Sequence, residues 1–402
     1  MNNRTITIGA VAIVALAAIF YFASSQKKVS EDIKVGILLG FTGPIESLTP
    51  DMASGAELAF NEASNSGELL GGSKITILRA DSTCVDSAAA TAAAEDLLSQ
   101  GMTAMMGADC SGVTGAVATN VAVPNGFVMI SPSATSPGLT DLEDKGMFFR
   151  TAPSDARGGQ VLADITNDKG IKSVAITYVN SDYGLGLADV YKAAVEAYGI
   201  TVTTMASHES DKADYSADVG VLSSAGGDAL AVLGYLDNAG GHIIEGSLDS
   251  GAFDTFVLSD GMIGDSLTDR FGSDLNNSFG SMPGSLGEGA QLFKSVAEAG
   301  GINASVYVGE SYDAAALIVL AMQAGNSSDK GSIAENIMSV ANAPGEKIMA
   351  GEIAKGLKLL ASGKDIDYQG ATDVTFTDVG EAEGAFIEKG ISGGKFTDVA
   401  QR

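Results

Sequence analysis

"FVMISPSATSPGLT", residues Phe127 to Thr140, is the stretch on which the reading of this chain turns. It opens as a short apolar run that predicts a buried strand end. Hydroxyls then crowd in at Ser131, Ser133, Thr135, Ser136 and Thr140, with Pro132 and Pro137 among them. A plain turn uses one or two such residues. A chain that leaves its core and at once presents this many small donors predicts a polar site at the strand's carboxyl end. That is where ligands of open α/β sheets sit.

Working outward, strand and helix alternate on both sides. "IKVGILLG" from Ile33 predicts a buried strand, and "PDMASGAELAFNEAS" a helix with Met52, Ala56, Ala59, Phe60 and Ala63 on one face. "KITILRAD" and "TAMMGA" predict strands. "VDSAAATAAAEDLLSQG" predicts a helix opened by Asp86 or Ser87 and closed near Gly101. A second series follows "FFRTAPSDARGG", with strands at "KSVAITYVN", "ITVTTMAS", "ALAVLGY" and "TFVLSDG" and helices between. This alternation implies parallel strands joined by crossover helices, an α/β class. The apolar helical segment of about 285–325 and two later helices, near 331–342 and 351–362, have no strands of their own and must pack on an existing sheet. From Val374 the tail reads as short strands with Gly-rich turns.

The chain has 402 residues, too many for one core of usual size, so two lobes are expected. Fifty acids against 23 bases give a formal charge of −27, which repels phosphate backbones and argues against a nucleic-acid partner. Arg4 precedes an apolar run from about Ile6 to Phe22, and Lys27 and Lys28 follow it. Residues 1–29 therefore read as a signal peptide or an N-terminal membrane anchor, and either form exports the body. In an exported chain the two cysteines, Cys84 and Cys110, read as one disulfide, with a pair of buried thiols as the alternative. Two Cys with two distant His make a poor metal site. No cofactor loop is found: "GLGLAD" at 184–189 lacks the third glycine of a dinucleotide motif. "GISGG" at 390–394 lies in a tail turn with no His after His242, so no hydrolase triad follows and no catalytic residue is assigned.

In order and spacing, "TGP" at 42–44, "CSGVTGAV" at 110–117, "MISPSATSPGLT", "DYG" at 182–184 and "YQGATDVTF" at 368–376 resemble the amino-acid-binding proteins of ABC importers. These are the leucine/isoleucine/valine-binding type, or type I periplasmic binding proteins, and the likeness covers about residues 33 to 400. It implies a two-lobed fold, each lobe a parallel-sheet α/β sandwich, with several hinge crossovers. Residues 33–150 plus about 281–362 would form the N-terminal lobe, and about 153–277 plus about 374–402 the C-terminal lobe. The two Cys fall where this family has its disulfide. Ser111 or Gly112, with Ser133, Ala134 and Thr135, would hold a ligand carboxylate, and the loop of Ser133 and Thr135 would also meet the ammonium. Tyr183 would cover the ligand, Tyr235 would line it, and Asp260 would pair with the ammonium. Leu48 stands where branched-chain binders often carry an aromatic residue.

The expected function is binding, not catalysis: capture of an amino acid, branched-chain by default, and delivery to an ABC permease in the membrane. A monomer, periplasmic or extracellular, without cofactor, is implied. The alternatives are a membrane-tethered ligand-sensing ectodomain, or a receptor for an amide or urea-like solute. Asp313, on an apolar helix, reads as a buried hydrogen-bonding residue. His242 and His208, the latter in a polar loop, are given no chemistry.

Overall fold

A computed structural model describes residues 32–402. The apolar run of residues 6–22 lies outside the described residues. Among the described residues no helix is long and apolar enough to cross a membrane. The first sheet holds β1 (Asp32–Leu39), β2 (Lys74–Asp81), β3 (Ala104–Gly107), β4 (Met129–Ser131) and β5 (Phe148–Arg150), in the order β2-β1-β3-β4-β5. All its pairings are parallel. The residues of β1 from Val35 on are all buried, because helices cover both faces.

The second half carries β6 (Ser173–Val179), β7 (Thr201–His208), β8 (Ala229–Leu233), β9 (Phe256–Leu258) and β10 (Phe279–Pro283). The returning chain then forms a two-stranded parallel pair, β11 (Glu346–Met349) and β12 (Ile366–Gly370), so the stretch around the two later helices does contain strands. It ends in β13 (Phe386–Ser392) and β14 (Lys395–Gln401). The seven-stranded second sheet runs β14-β13-β10-β9-β8-β6-β7. Its last two strands are antiparallel, so this sheet is mixed rather than purely parallel. A tight turn at Gly393 and Gly394, both at positive φ, joins them and lets the tail finish as a hairpin.

The helix Val308–Ala324 is buried on nearly every side. It packs chiefly against the helix Thr49–Ser66 and also meets Lys330–Ala341 and Ile353–Ala361. An all-round apolar helix must be a core helix, which is why it needs no strand beside it. Its polar groups are bonded locally. Asp313 accepts from Tyr368 Oη at 2.7 Å, the amides of Ala371 and Thr372, and the Thr372 hydroxyl, as a buried hydrogen-bonding residue should. Tyr312 Oη donates to Glu62 at 2.7 Å, and the other Glu62 oxygen takes the Ile353 N–H at 2.8 Å. His208 is no loop residue. It ends β7, is buried, and faces the Thr177 hydroxyl at 2.8 Å, and burial lowers its pKa to about 4.

Cys84 and Cys110 form a disulfide. They lie 26 positions apart, so in the chain-entropy model the bridge contributes about 3.5 kcal/mol. Replacing both by Ser is expected to lower the urea-unfolding free energy by about that amount. A loss near zero would show that the bridge only decorates an already pinned loop.

Glu310, in the first turn of the long helix, supplies a pH test. Burial raises its pKa from 4.5 to about 8, with Asp313 adding a smaller push. A folded-state pKa above the unfolded one stabilises fully below about pH 4.5 and loses that contribution as pH rises through 8. Urea titrations at pH 5, 7 and 9 should show wild type losing more stability with rising pH than Glu310→Gln. Parallel curves would contradict it.

Candidate functional site

The site lies between the halves, at the carboxyl ends of β1, β3, β4, β8 and β9. On the first half the hydroxyl-rich loop is held from within. Ser131 Oγ donates to Ala108 O at 2.5 Å and accepts from the Ala134 N–H at 3.0 Å. Arg150 is almost fully buried, and its Nη1 donates to the carbonyls of Ala134 at 3.0 Å and Ser136 at 2.9 Å. Its other nitrogen, Nη2, meets Thr140 Oγ1 at 2.9 Å and Glu381 at 2.5 Å. The loop between the prolines thus folds around a buried guanidinium.

Asp109 fixes the neighbouring loops. Its carboxylate accepts from the Gly40 amide at 2.5 Å, the Ser82 hydroxyl at 2.7 Å and the Cys110 amide at 2.9 Å. Burial pushes its pKa up, and these donors hold it down. The helix Ser111–Val117 starts beside it. Ser111 Oγ accepts the Ser136 N–H at 3.1 Å, which leaves its own proton free to donate. Ser133 Oγ donates to Asp109 O at 3.1 Å, which leaves its lone pairs free to accept.

On the second half, Asp260 follows β9 and is buried. One oxygen accepts from Tyr183 Oη at 2.6 Å, and the other takes a short bond from Tyr307 Oη. Tyr183 stacks on Tyr235 with ring centroids 5.2 Å apart. Tyr307 precedes the long helix with φ +62°, an uncommon backbone state for a residue with a side chain. That conformation points its phenol across the gap.

A second carboxylate, Asp155, lies just behind. Asp155 and Asp260 line one small cavity with Ser259, Ser281 and Phe386. Asp155 has its pKa pushed well up, first by burial and then by the charge of Asp260. Burial also raises Asp260, against the pull of Tyr183 and Tyr307. The Thr135 hydroxyl faces the Asp155 carboxyl without a hydrogen bond of normal geometry, and Asp155 Oδ2 has no partner. Two buried acids and an unbonded hydroxyl therefore converge, and among the described residues no lysine is paired with either acid.

The pocket in front of Asp260 is lined by Ser111, Ser133, Tyr183, Tyr235 and Asp260, five of the residues singled out from sequence. Thr135 and Ala134 are buried behind that lining, and Gly112 lies one residue past Ser111 on the helix, outside it. Asp109, Asp155 and Tyr307 went unnoticed. "SVYVGESYD" reads as one apolar helix, and nothing in it marks Tyr307 as the residue before the first turn. "ADC" and "PSD" carry acids beside elements predicted correctly, so an acid next to a strand end or helix start was the usable signal.

The halves are in contact. Ser47 N–H donates to Asp237 at 2.8 Å, the Asp237 N–H to Pro44 O at 3.2 Å, and the Ser136 hydroxyl to Asp182 O at 3.0 Å. The site is thus a closed one.

A family model described as periplasmic binding protein matches residues 32–354. The chain belongs to the periplasmic binding protein family. Relatives of this periplasmic binding protein include Leu/Ile/Val-binding protein homolog 1 of Brucella melitensis, 30% identical over 329 residues, 80% of this chain and 85% of that one. Homolog 3 of the same organism is 32% identical over 255 residues, 61% of this chain; the match spans 64% of that relative's length. Among solved structures, the branched-chain amino acid transporter substrate binding protein LivJ from Streptococcus pneumoniae, in complex with isoleucine, aligns with TM-score 0.76 and 21% identity, covering 92% of this chain and 99% of that one. A solute binding protein of an ABC transporter from R. palustris, in complex with benzoate, aligns with TM-score 0.74 and 16% identity, covering 92% and 96%. At these identities the structures establish a type I periplasmic-binding-protein fold for the chain.

The Tyr307 bond joins the halves directly at the site. In small-angle scattering of the ligand-free protein, Tyr307→Phe is expected to shift the ensemble toward a larger radius of gyration. A profile identical to wild type would show that the polar contacts at Ser47 and Ser136 hold the halves without it.

Proposed function

We propose that this chain is the extracytoplasmic solute receptor of an ABC importer, capturing an amino acid between its closing halves and handing it to a membrane permease. The observation that supports this most is the polarity of the site. A proton donor at Ser111, at the start of a helix, faces one end. The buried acids Asp260 and Asp155 occupy the other.

The chemistry follows from that division. Ser111 and the Gly112 amide take the carboxylate, with the helix start at Ser111 adding favourable partial charge; Ser133 and Ala134 spend their donors on Asp109 O and Ser131, which leaves Thr135 as the loop's contribution. The ammonium goes to Asp260, with Asp155 and the Thr135 hydroxyl behind it. Closure around the ligand excludes water, so each ionic contact strengthens in the lower dielectric. The stacked Tyr183 and Tyr235 rings cover the ligand from the second half. Two buried acids in one site favour a cationic group, because a cation offsets the burial that raises both pKa values and the charge of Asp260 that raises that of Asp155 further. That argues for a zwitterion over a neutral amide. The names of the relatives point the same way: they are Leu/Ile/Val-binding proteins, which makes a branched-chain amino acid the first candidate. The benzoate complex shows that this fold also serves ligands without an ammonium, so the buried acids, not the fold, decide.

A thermal-shift and calorimetry panel of amino acids tests this. A ligand at 100 times its Kd should add about 2.7 kcal/mol of stability. Asp260→Ala should weaken amino-acid binding at least tenfold, while leaving unfolding cooperative. Unchanged affinity would remove Asp260 from the site, and no shift with any amino acid would remove the ligand class.

A further inference from the structure

Asp260 stands between two spaces. It lines the pocket in front and the small cavity behind, and it is the one residue common to both linings. The rear cavity measures about 10 Å³, the lower bound for holding one water. Four oxygen-bearing side chains line it, Asp155, Ser259, Asp260 and Ser281, with Leu162 and Phe386 among the apolar residues that close it.

These polar groups are short of partners. Asp155 Oδ2 is buried and accepts no hydrogen bond, and the Thr135 hydroxyl that faces Asp155 is unbonded too. Ser281 is 5% exposed, and its hydroxyl makes no hydrogen bond among the described residues.

Charge is also out of balance. Arg150 acts on Asp155 through its charge but is ion-paired with Glu381. An amino acid brings one ammonium, and Asp260 receives it from the front. Asp155 is then left without a counter-charge of its own. A proton on Oδ2 would point to no acceptor. A water would fill the space and leave the charge as it is. A cation does both, and carboxylate and hydroxyl oxygens suit hard cations. Calcium takes about six to eight oxygens, and magnesium keeps several waters in a strict octahedron. Four lining side chains around the volume of one water provide neither. Among the described residues no three acid, His or Cys side chains are grouped to hold a metal, which also disfavours a divalent ion.

We propose that this cavity is a sodium site: one dehydrated monovalent cation held between Asp155 and Asp260, with Ser259 and Ser281 completing its oxygens. It goes beyond the amino-acid reading and does not rest on it, because Asp260 apart the two linings are separate.

Melting of the purified full-length protein without amino acid tests this, in sodium chloride and in choline chloride at equal ionic strength. The formal charge of −27 is screened alike in both, so a difference reports sodium itself. Saturating sodium should raise Tm over choline by at least about 2 °C. Potassium, larger than a one-water cavity accepts, should do less. Asp155→Asn should abolish the gap. Ser281→Ala, which keeps both acids, should raise the sodium concentration at half-effect by about fivefold, the weight of one lost oxygen contact. Circular dichroism checks that each variant is folded, and Ser281→Ala decides alone if Asp155→Asn is not. Equal Tm in sodium and choline overturns the inference and leaves the amino-acid reading untouched. A potassium effect as large as that of sodium overturns it too. So does a gap unchanged in the folded variants, which would place the cation elsewhere on the acidic surface.

Discussion

Two carboxylates that share a dry space govern this molecule. Asp155 and Asp260 are buried between the halves; burial raises the cost of ionising both, the charge of Asp260 adds to that of Asp155, and Arg150 offsets part of it. Such a pair is expensive in a low dielectric unless it binds a proton or a cation. The charge of Arg150 holds Asp155 down in part, while its hydrogen bonds go to the carbonyls of Ala134 and Ser136 and to Glu381. Two tyrosine hydroxyls are what the fold offers Asp260 instead. Hydrogen bonds from neutral donors moderate the charge without cancelling it. The arrangement is therefore satisfied only partly by the protein itself, which is how a binding site differs from a structural ion pair.

Much of this was legible from residues alone, for definite reasons. The β/α rhythm came from apolar runs such as Ile33–Leu39 and Ser173–Val179, where both faces of a strand are covered and alternation disappears. Those runs are long enough to read. β5, β11 and β12 hold three to five residues each, short enough to pass for loop. The hydroxyl-rich loop after β4 was conspicuous, and Ser111, Ser133, Tyr183, Tyr235 and Asp260 do converge on one pocket. The organisers of that loop were not conspicuous. Arg150 looks like an ordinary surface charge in "FFRTAP", and only the three-dimensional path of the chain puts it under Ala134 and Ser136. Tyr307 is hidden by its helix, because the periodic pattern does not announce where the first turn begins.

The two sides of the site are built to different stiffness. The first half is over-determined: Asp109 ties β1, β2 and the disulfide together, and Ser131 ties the loop to Ala108. Groups fixed this way can meet a carboxylate without reordering on binding, which is where preorganisation saves free energy. Polar contacts between the halves include exposed ones, such as Ser47 to Asp237, beside the buried Tyr307–Asp260 bond. Each is worth about 0.5–1.5 kcal/mol. A hinge closed by such bonds can reopen, whereas a large apolar seam would hold it shut.

That contrast gives Leu48 its importance. A rigid site with a small pocket can discriminate among side chains only through the part of its wall that yields. Hydrogen-bonded walls yield at the cost of a broken bond, while an apolar residue backed by open space yields at the cost of a rotamer, on the order of 1 kcal/mol. Leu48 lines the pocket and also a larger, mostly polar cleft beside it; Met52 is backed by the packed helix Val308–Ala324 and its neighbours. The same chain segment thus holds one residue that belongs to the core and one that stands at the pocket's edge.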